Sequence, residues 1–503
     1  AMQVHTPTSE FEGEVCKPDL TSPEHYEVIV VGAGFAGLGA AIKLQQAGFD
    51  YQVFEKAAEI AGVWRENSYP GCACDVPSAL YSYSFAPNPR WSRFFAEQAE
   101  IKDYTVAVAQ RFNVMPSIRL NVEVLSATWS TDDQVWHLNT NAGAFTACFV
   151  IMACGPMHKP STPRIKGIDT FPGVSFHSAQ WDHDCDLRGK RVAVIGSGAS
   201  AIQFLPEIAP EVGHLTLFQR TAPWVLPKMD VPISQKWQRR FERFPLLQSL
   251  LRQLLYLGFE MLNSSLSKPK SRQKLQARAL ANIDRAVTDE FLKKKLVPNF
   301  AIGCKRILQS NTWYRALGRQ NVDVVGGIAE VQGNRLIASD GSSCEVDVII
   351  YATGFEVANP PVAEIIIDAK GRSLADQWQG SPEVFLGTTA RDCPNLFLTF
   401  GPNLYTFSSA FVIIEVQLKY ITSALKKVRS QKLTALTVKP AVAQAYNHEL
   451  QGALQATVWN SGGCTSYFID KNGRNSTNWP WTTFRMRRRL RQFNLSDYHV
   501  TPR

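Results

Sequence analysis

The chain has 503 residues, 45% hydrophobic and 19% charged, an ordinary globular balance and long enough for two or three domains. Its net charge is +9, and Arg485, Arg487, Arg488, Arg489 and Arg491 supply five of those charges. No nucleic-acid reading motif accompanies that run, so it reads as a solvated helix face and no nucleic-acid partner is expected. No run of about 18 uncharged apolar residues occurs, so stable membrane insertion is not expected. Residues 1–24 form a polar lead-in without a basic segment followed by an apolar core. The ten cysteines are scattered, and only Cys72 and Cys74 are close; C-A-C is neither a CxxC redox pair nor a zinc knuckle. Free thiols in a cytoplasmic protein and no metal site are therefore expected.

In chain order, Tyr26–Val31 is a short β-branched run, the mark of a buried parallel strand. It enters Gly32-Ala-Gly34-Phe-Ala-Gly37, then an apolar helix pattern ending near Gly48, then a strand Tyr51–Phe54 that stops at Glu55. Gly32 permits the turn, Gly34 lets the backbone approach a pyrophosphate, and Gly37 lets the helix pack on the sheet. The amides at the helix start face the phosphates. Glu55 suits the free hydroxyls of a ribose and would repel a 2′-phosphate, which indicates FAD or NAD. A strand-like stretch Ile118–Leu125 and an apolar strand in Phe149–Gly155 follow, and prolines 156, 160 and 163 mark a linker.

A second glycine turn, Gly196-Ser197-Gly198-Ala199-Ser200-Ala201, lies between a strand Val192–Ile195 and a helix Ala201–Ile208. Its next strand, Leu215–Phe218, ends in Gln219-Arg220-Thr221 with no acid. An arginine there suits a 2′-phosphate. The two sites are therefore expected to hold unlike dinucleotides, FAD first and NADPH second. Phe244–Leu262 reads as a buried amphipathic helix in a helical insertion, in preference to a membrane-surface helix. Further on come the adjacent cations Lys305 and Arg306, an apolar strand in Asp347–Phe355, a strand in 394–403, a helix Ser409–Ile421 and a polar loop from Trp459 to Pro480.

Between the two glycine turns lies Phe171-Pro-Gly173-Val-Ser-Phe-His177-Ser-Ala-Gln-Trp181-Asp182. With that position, the pattern resembles the fingerprint of the Baeyer–Villiger monooxygenases. The resemblance implies an FAD-binding domain at 1–155, a linker at 156–182, an NADPH-binding domain at 183–351 with a helical insertion at about 229–300, and a linker with the rest of the FAD domain at 352–503. The expected fold is α/β, with two doubly wound Rossmann-like domains.

The resemblance puts Val63, Trp64, Asp75, Tyr81, Val124 and Ala410 on FAD. It puts Ser197, Gly198, Ala199, Ser200, Gln203, Arg220, Thr221 and Lys305 on NADPH, and Arg306 at the flavin face with Asp75 holding it. Its chemistry is the conversion of a ketone by O2 to an ester or lactone through a flavin peroxide anion, with Arg306 meeting the negative oxygen. The polar loop after Trp459, including Tyr467, would fold over NADP+. The stretch Leu404–Phe407 departs from the family pattern and leaves the pocket shape there open. A sister flavin monooxygenase acting on nitrogen or sulfur, a flavin reductase with a redox disulfide and a non-catalytic nucleotide sensor are the alternatives. The enzyme is expected to be a monomer or homodimer.

Overall fold

The computed structural model describes residues 22–503; the polar lead-in expected for residues 1–24 falls mostly outside them. The fold is α/β and contains two Rossmann-like sheets. The first has eight strands and draws them from distant parts of the chain: Ile366–Ile367, Val124–Ser130, Val135–Thr140, Gly143–Met152, Glu24–Val31, Tyr51–Phe54 and Ile118–Arg119 in spatial order, with Leu396–Leu398 also on Gly143–Met152. The second has five parallel strands, in the order Val322–Val325, His214–Phe218, Arg191–Ile195, Val348–Tyr351 and Val174–His177.

The apolar runs Val28–Val31 and Tyr51–Phe54 are buried on both faces, as parallel strands covered by helices must be. The helix Phe35–Gln46 is buried nearly all round, between the first sheet and the helix Ala410–Ser430; Phe35 and Phe411 meet with ring centroids 4.3 Å apart. That second helix runs nine residues past the expected Ile421 because Ala424, Leu425 and Val428 continue its buried stripe.

The stretch Ile118–Leu125 is not one strand. Asn121 takes a left-handed conformation (φ 57°), and the chain leaves an edge strand, Ile118–Arg119, to start Val124–Ser130 elsewhere in the same sheet. That strand, Val135–Thr140 and Gly143–Met152 form an antiparallel meander inside the otherwise parallel sheet.

The chain crosses between the sheets twice, and the two crossings lie side by side. Ser161 N donates to Gly354 O at 2.8 Å, Glu356 N donates to Lys159 O at 2.9 Å, and Lys159 pairs with Glu356 at 2.7 Å.

The insertion is helical, formed by Gln235–Arg243, Pro245–Leu266, Pro269–Ala286 and Glu290–Leu296. The helix Pro245–Leu266 leaves most of its leucines unburied, however; among them only Leu266 is buried. Gln248 and Glu260 are each 6% exposed, whereas Leu246 is 84% and Met261 71% exposed. The inner face sets Leu255, Tyr256 and Phe259 on the core, and its polar groups are engaged. Arg252 Nη1 donates to the carbonyls of Ala79, Leu80 and Ser82 at 3.0, 3.2 and 2.8 Å. Gln248 donates to Asn88 O at 2.7 Å, and Thr483 N donates to Glu260 at 3.1 Å. Periodicity finds such a helix but does not say which face turns inward when the polar residues have backbone partners waiting. Among the described residues no helix is long and apolar enough to cross a membrane.

The first glycine turn has no room for a side chain. A β-carbon on Gly37 would lie 1.8 Å from the Gly32 carbonyl oxygen. Gly37→Ala should therefore push the helix Phe35–Gln46 off the sheet and destabilise the protein by about 1–3 kcal/mol, read as a lowered thermal midpoint. An unchanged midpoint would contradict this packing.

Candidate active site

The two glycine turns are built alike. Gly32 and Gly196 both have φ +103°, and a β-carbon on either would strike the last carbonyl of the neighbouring strand segment, Ala153 O at 2.5 Å and Ala352 O at 2.4 Å. Beside Gly34 and Gly198 the nearest atoms to such a carbon stand at 3.7 and 3.8 Å, so ligand backbone approach is open there. Ala201, at the position matching Gly37, is fully buried.

The strand ends differ. Glu55 is 5% exposed, and its two carboxylate oxygens accept from Ala33 N at 2.8 Å and Ala57 N at 2.9 Å. This stiffens the turn and leaves lone pairs for ribose hydroxyls. At the other strand end, Arg220 and Thr221 line a cavity of about 250 Å³ together with Gln219, Lys295, Gly326 and Asp340. Arg220 has no ion-pair partner among the described residues, and Asp340 is occupied by Gly326 N at 2.9 Å and Ser342 N at 3.0 Å. Burial and the charge of Arg220 push the Lys305 ammonium below its usual range. Ser197 Oγ donates to Thr221 O at 3.1 Å and ties the turn to that strand end.

Between the turns sits an ion pair from distant segments. Arg306 Nε donates to Asp75 Oδ2 at 3.1 Å and Nη2 donates to the same oxygen. The side chains keep 29% and 27% of their exposure. The Asp75 carboxylate holds the guanidinium well above its ordinary range against the opposing effect of burial. Tyr405 and Tyr467 stand close enough to feel that charge. Tyr405 lies in the stretch where the sequence departs from the family pattern, and nothing in the sequence tied it to Arg306.

The loop that carries Asp75 rests on the second site. Tyr69 Oη donates to Gln203 Oε1 at 2.8 Å, and Gln203 Nε2 donates to Ala73 O at 2.9 Å. Gln203 thus spends its amide on bridging the two nucleotide regions. Lys228, which no sequence signal singled out, donates to Cys74 O at 3.1 Å from the second side. Trp64 Nε1 donates to Tyr81 Oη at 3.1 Å, and Tyr81 packs edge-on to Phe411 at 5.1 Å. Ser409 caps the helix that begins at Ala410, accepting from Phe411 N at 3.2 Å and donating to Leu80 O at 2.9 Å. Trp64, Tyr81 and Ala410 thereby share one wall. Val63 opens a short helix beside them, and Val124 is a buried strand residue.

The fingerprint residues pack around the strand Val174–His177. Gly173 is pressed against Asp347 O, Trp181 packs on Phe176 and Phe204 with centroids 5.1 Å away in each case, and Asp182 accepts from Asp184 N at 3.0 Å. His177 Nδ1 accepts from Ala179 N at 3.1 Å, and its ring lies 6.0 Å from that of Phe355 on the return crossing. Burial holds this imidazole below its usual range. Phe171 packs against the apolar cluster around Ile349 and Tyr351.

The free-thiol expectation fails at one pair. Cys304 and Cys464 form a disulfide with Cα atoms 6.1 Å apart and a sequence separation of 160. That spacing hid the pair; packing of the Gly303–Cys304 turn on Val458 and Gly462 brings it together. Cys72 and Cys154, by contrast, are thiols that burial pushes up to about 12. The loop after Trp459 is not a free surface loop: Phe468, Asn478 and Trp479 are fully buried, and Asn403 Nδ2 donates to Asn475 O and Asn478 O at 3.0 Å each.

Comparison with known proteins agrees with this architecture. Residues 29–245 match the family model described as pyridine nucleotide-disulphide oxidoreductase. A Baeyer-Villiger monooxygenase of Streptomyces coelicolor is 46% identical over 95% of this chain and 93% of its own length. One from Pseudomonas aeruginosa is 43% identical over 96% of this chain and 93% of its own. The crystal structure of OTEMO in complex with FAD and NADP superposes with a TM-score of 0.87 at 26% identity, over 95% of this chain and 100% of that one. The chain belongs to the Baeyer–Villiger monooxygenase family.

Proposed function

We propose that the protein is an FAD- and NADPH-dependent monooxygenase that inserts one oxygen atom of O2 beside a ketone carbonyl, giving an ester or lactone. The observation that carries this reading is the Arg306–Asp75 pair, a cation fixed between two dinucleotide cradles. FAD belongs on the first turn with Glu55 at its ribose, and NADPH on the second with Arg220 and Lys305 at its 2′-phosphate. The open approach at Gly34 and Gly198 and the uncompensated cations at Arg220 and Lys305 suit those groups. On this reading the FAD domain is made from both flanks of the chain and the NADPH domain is inserted between them. The bound coenzymes supply two electrons and the activation of O2.

The chain supplies binding, orientation and charge. As a new C–O bond forms at the ketone carbon, negative charge grows on the ketone oxygen. A guanidinium cannot lose its proton at any working pH and offers donors in a fixed plane. Asp75 takes two of those donors on one oxygen and so fixes the plane, leaving the remaining donors for the substrate. Tyr405, half-buried beside that charge, helps to close the site against water, which strengthens every charge interaction inside.

Two outcomes test this. With NADPH and ¹⁸O₂, a ketone should yield an ester or lactone carrying one ¹⁸O at the inserted position; NADPH consumption with oxygenation only of amines or sulfides would refute ketone insertion. Replacing Arg220 and Lys305 together by alanine should raise KM for NADPH by about tenfold or more and leave KM for NADH nearly unchanged. An unaltered coenzyme preference would remove both cations from the 2′-phosphate.

A further inference from the structure

We propose that the outward face of the helix Pro245–Leu266 is a docking surface for an anionic lipid bilayer, on which the helix lies flat. Leu246, Leu250, Leu254, Leu257 and Met261 recur every three or four residues and form one stripe, 84%, 56%, 58%, 45% and 71% exposed. At 1.5 Å per residue the stripe runs roughly 22 Å. Ser249, Gln253 and Gly258 lie exposed along the same side, and the helix has no charged residue facing outward: Arg252 and Glu260 are both spent on the inner face. An apolar stripe of this size, free of charge on its outer side, marks an interaction site.

The surroundings say what kind. Exposed cations flank both ends of the stripe, with Lys236, Arg239, Arg240 and Arg243 before it and Lys268, Lys270 and Lys274 after it. Several sit on the apolar residues themselves. Arg240 lies 4.8 Å over the exposed Trp237 ring, Arg243 lies 5.6 Å over Phe244, and Arg487 lies 4.2 Å over Tyr256, beside the exposed Phe484. A leucine face between aromatic residues and cations is complementary to an interface of acyl chains beneath anionic headgroups. It is a poor fit to a second copy of the chain. Both ends of the stripe are positive, so pairing two copies in either direction sets cation against cation. The inner face, held by carbonyls of 79–82 and by Phe407 O through Asn263 at 2.9 Å, keeps the helix on the protein. Docking is therefore peripheral, and the loops it touches are those that hold Tyr81 and Ala410.

The test uses the FAD-loaded full chain in sedimentation with vesicles of phosphatidylcholine alone or of phosphatidylcholine containing phosphatidylglycerol. Binding to the anionic vesicles should exceed that to the neutral ones by about tenfold or more and weaken at high salt. The double variant Leu250→Glu, Leu254→Glu should lose this binding with an unchanged thermal midpoint and unchanged NADPH oxidation. If that variant does not fold, Leu246→Glu with Met261→Glu serves the same purpose. Absence of binding to anionic vesicles, equal binding to both compositions, or binding retained by the folded glutamate variants would each overturn the proposal. So would a dimer in sedimentation velocity that the glutamate substitutions dissociate, since the face would then belong to a second copy.

Discussion

On the proposed reading, the site depends on keeping one cation still. Arg306 is held where loops from both sheets converge, and no single segment could hold it. Its carboxylate partner is 231 residues away in sequence, on a loop that leans on the helix of the second glycine turn through Tyr69, Ala73 and Gln203. Breaking one member of a fully buried pair costs about 3–5 kcal/mol, and the remaining exposure of 29% and 27% makes this pair less expensive to break. The pair is thus better understood as an orienting device than as a source of stability. The Cys304–Cys464 bridge fastens the turn just before Lys305 and Arg306 to the loop that carries Tyr467, so cation and neighbouring phenol are tethered through one covalent link.

The same backbone solution serves two nucleotide cradles, and side chains at the strand ends make them unlike. Identical φ values at Gly32 and Gly196 and near-identical contacts with Ala153 and Ala352 show how closely the turns match. The difference is local electrostatics: a buried carboxylate at Glu55 against a free cation at Arg220. Two adjacent chain crossings, joined by main-chain bonds between 159–161 and 354–356, hold the cradles in relation to one another. The fingerprint residues support that joint. His177 stands on the strand beside Val348–Tyr351 with its ring near Phe355.

Much of this was legible in the sequence because it is written in short-range terms. Strand, glycine turn and helix follow one another within a few residues, and the strand Tyr51–Phe54 and the helix Ala201–Ile208 have the boundaries that their apolar patterns predict. What escaped detection depends on long-range pairing. The disulfide joins residues 160 apart, and no spacing rule reaches that far. Tyr405 is set near the charge of Arg306 by a stretch in which Asn403 and Tyr405 are stitched to 475–479 by main-chain and amide bonds. The break at Asn121 turns on one left-handed residue inside an otherwise strand-like run. The helix Pro245–Leu266 was legible from its period, but its inward-turned Gln248 and Arg252 were not, because their carbonyl partners lie on another segment.

The central claim is that the guanidinium of Arg306 acts after the coenzymes have exchanged electrons, on charge that appears at the ketone. The most direct measurement compares two rates in one Arg306→Ala protein: anaerobic bleaching of bound flavin by NADPH, and ester formation in air. The account predicts bleaching within a few-fold of the parent and ester formation lower by about 10²–10³-fold. Equal loss of both rates, or ester formation at the parent rate, would contradict it.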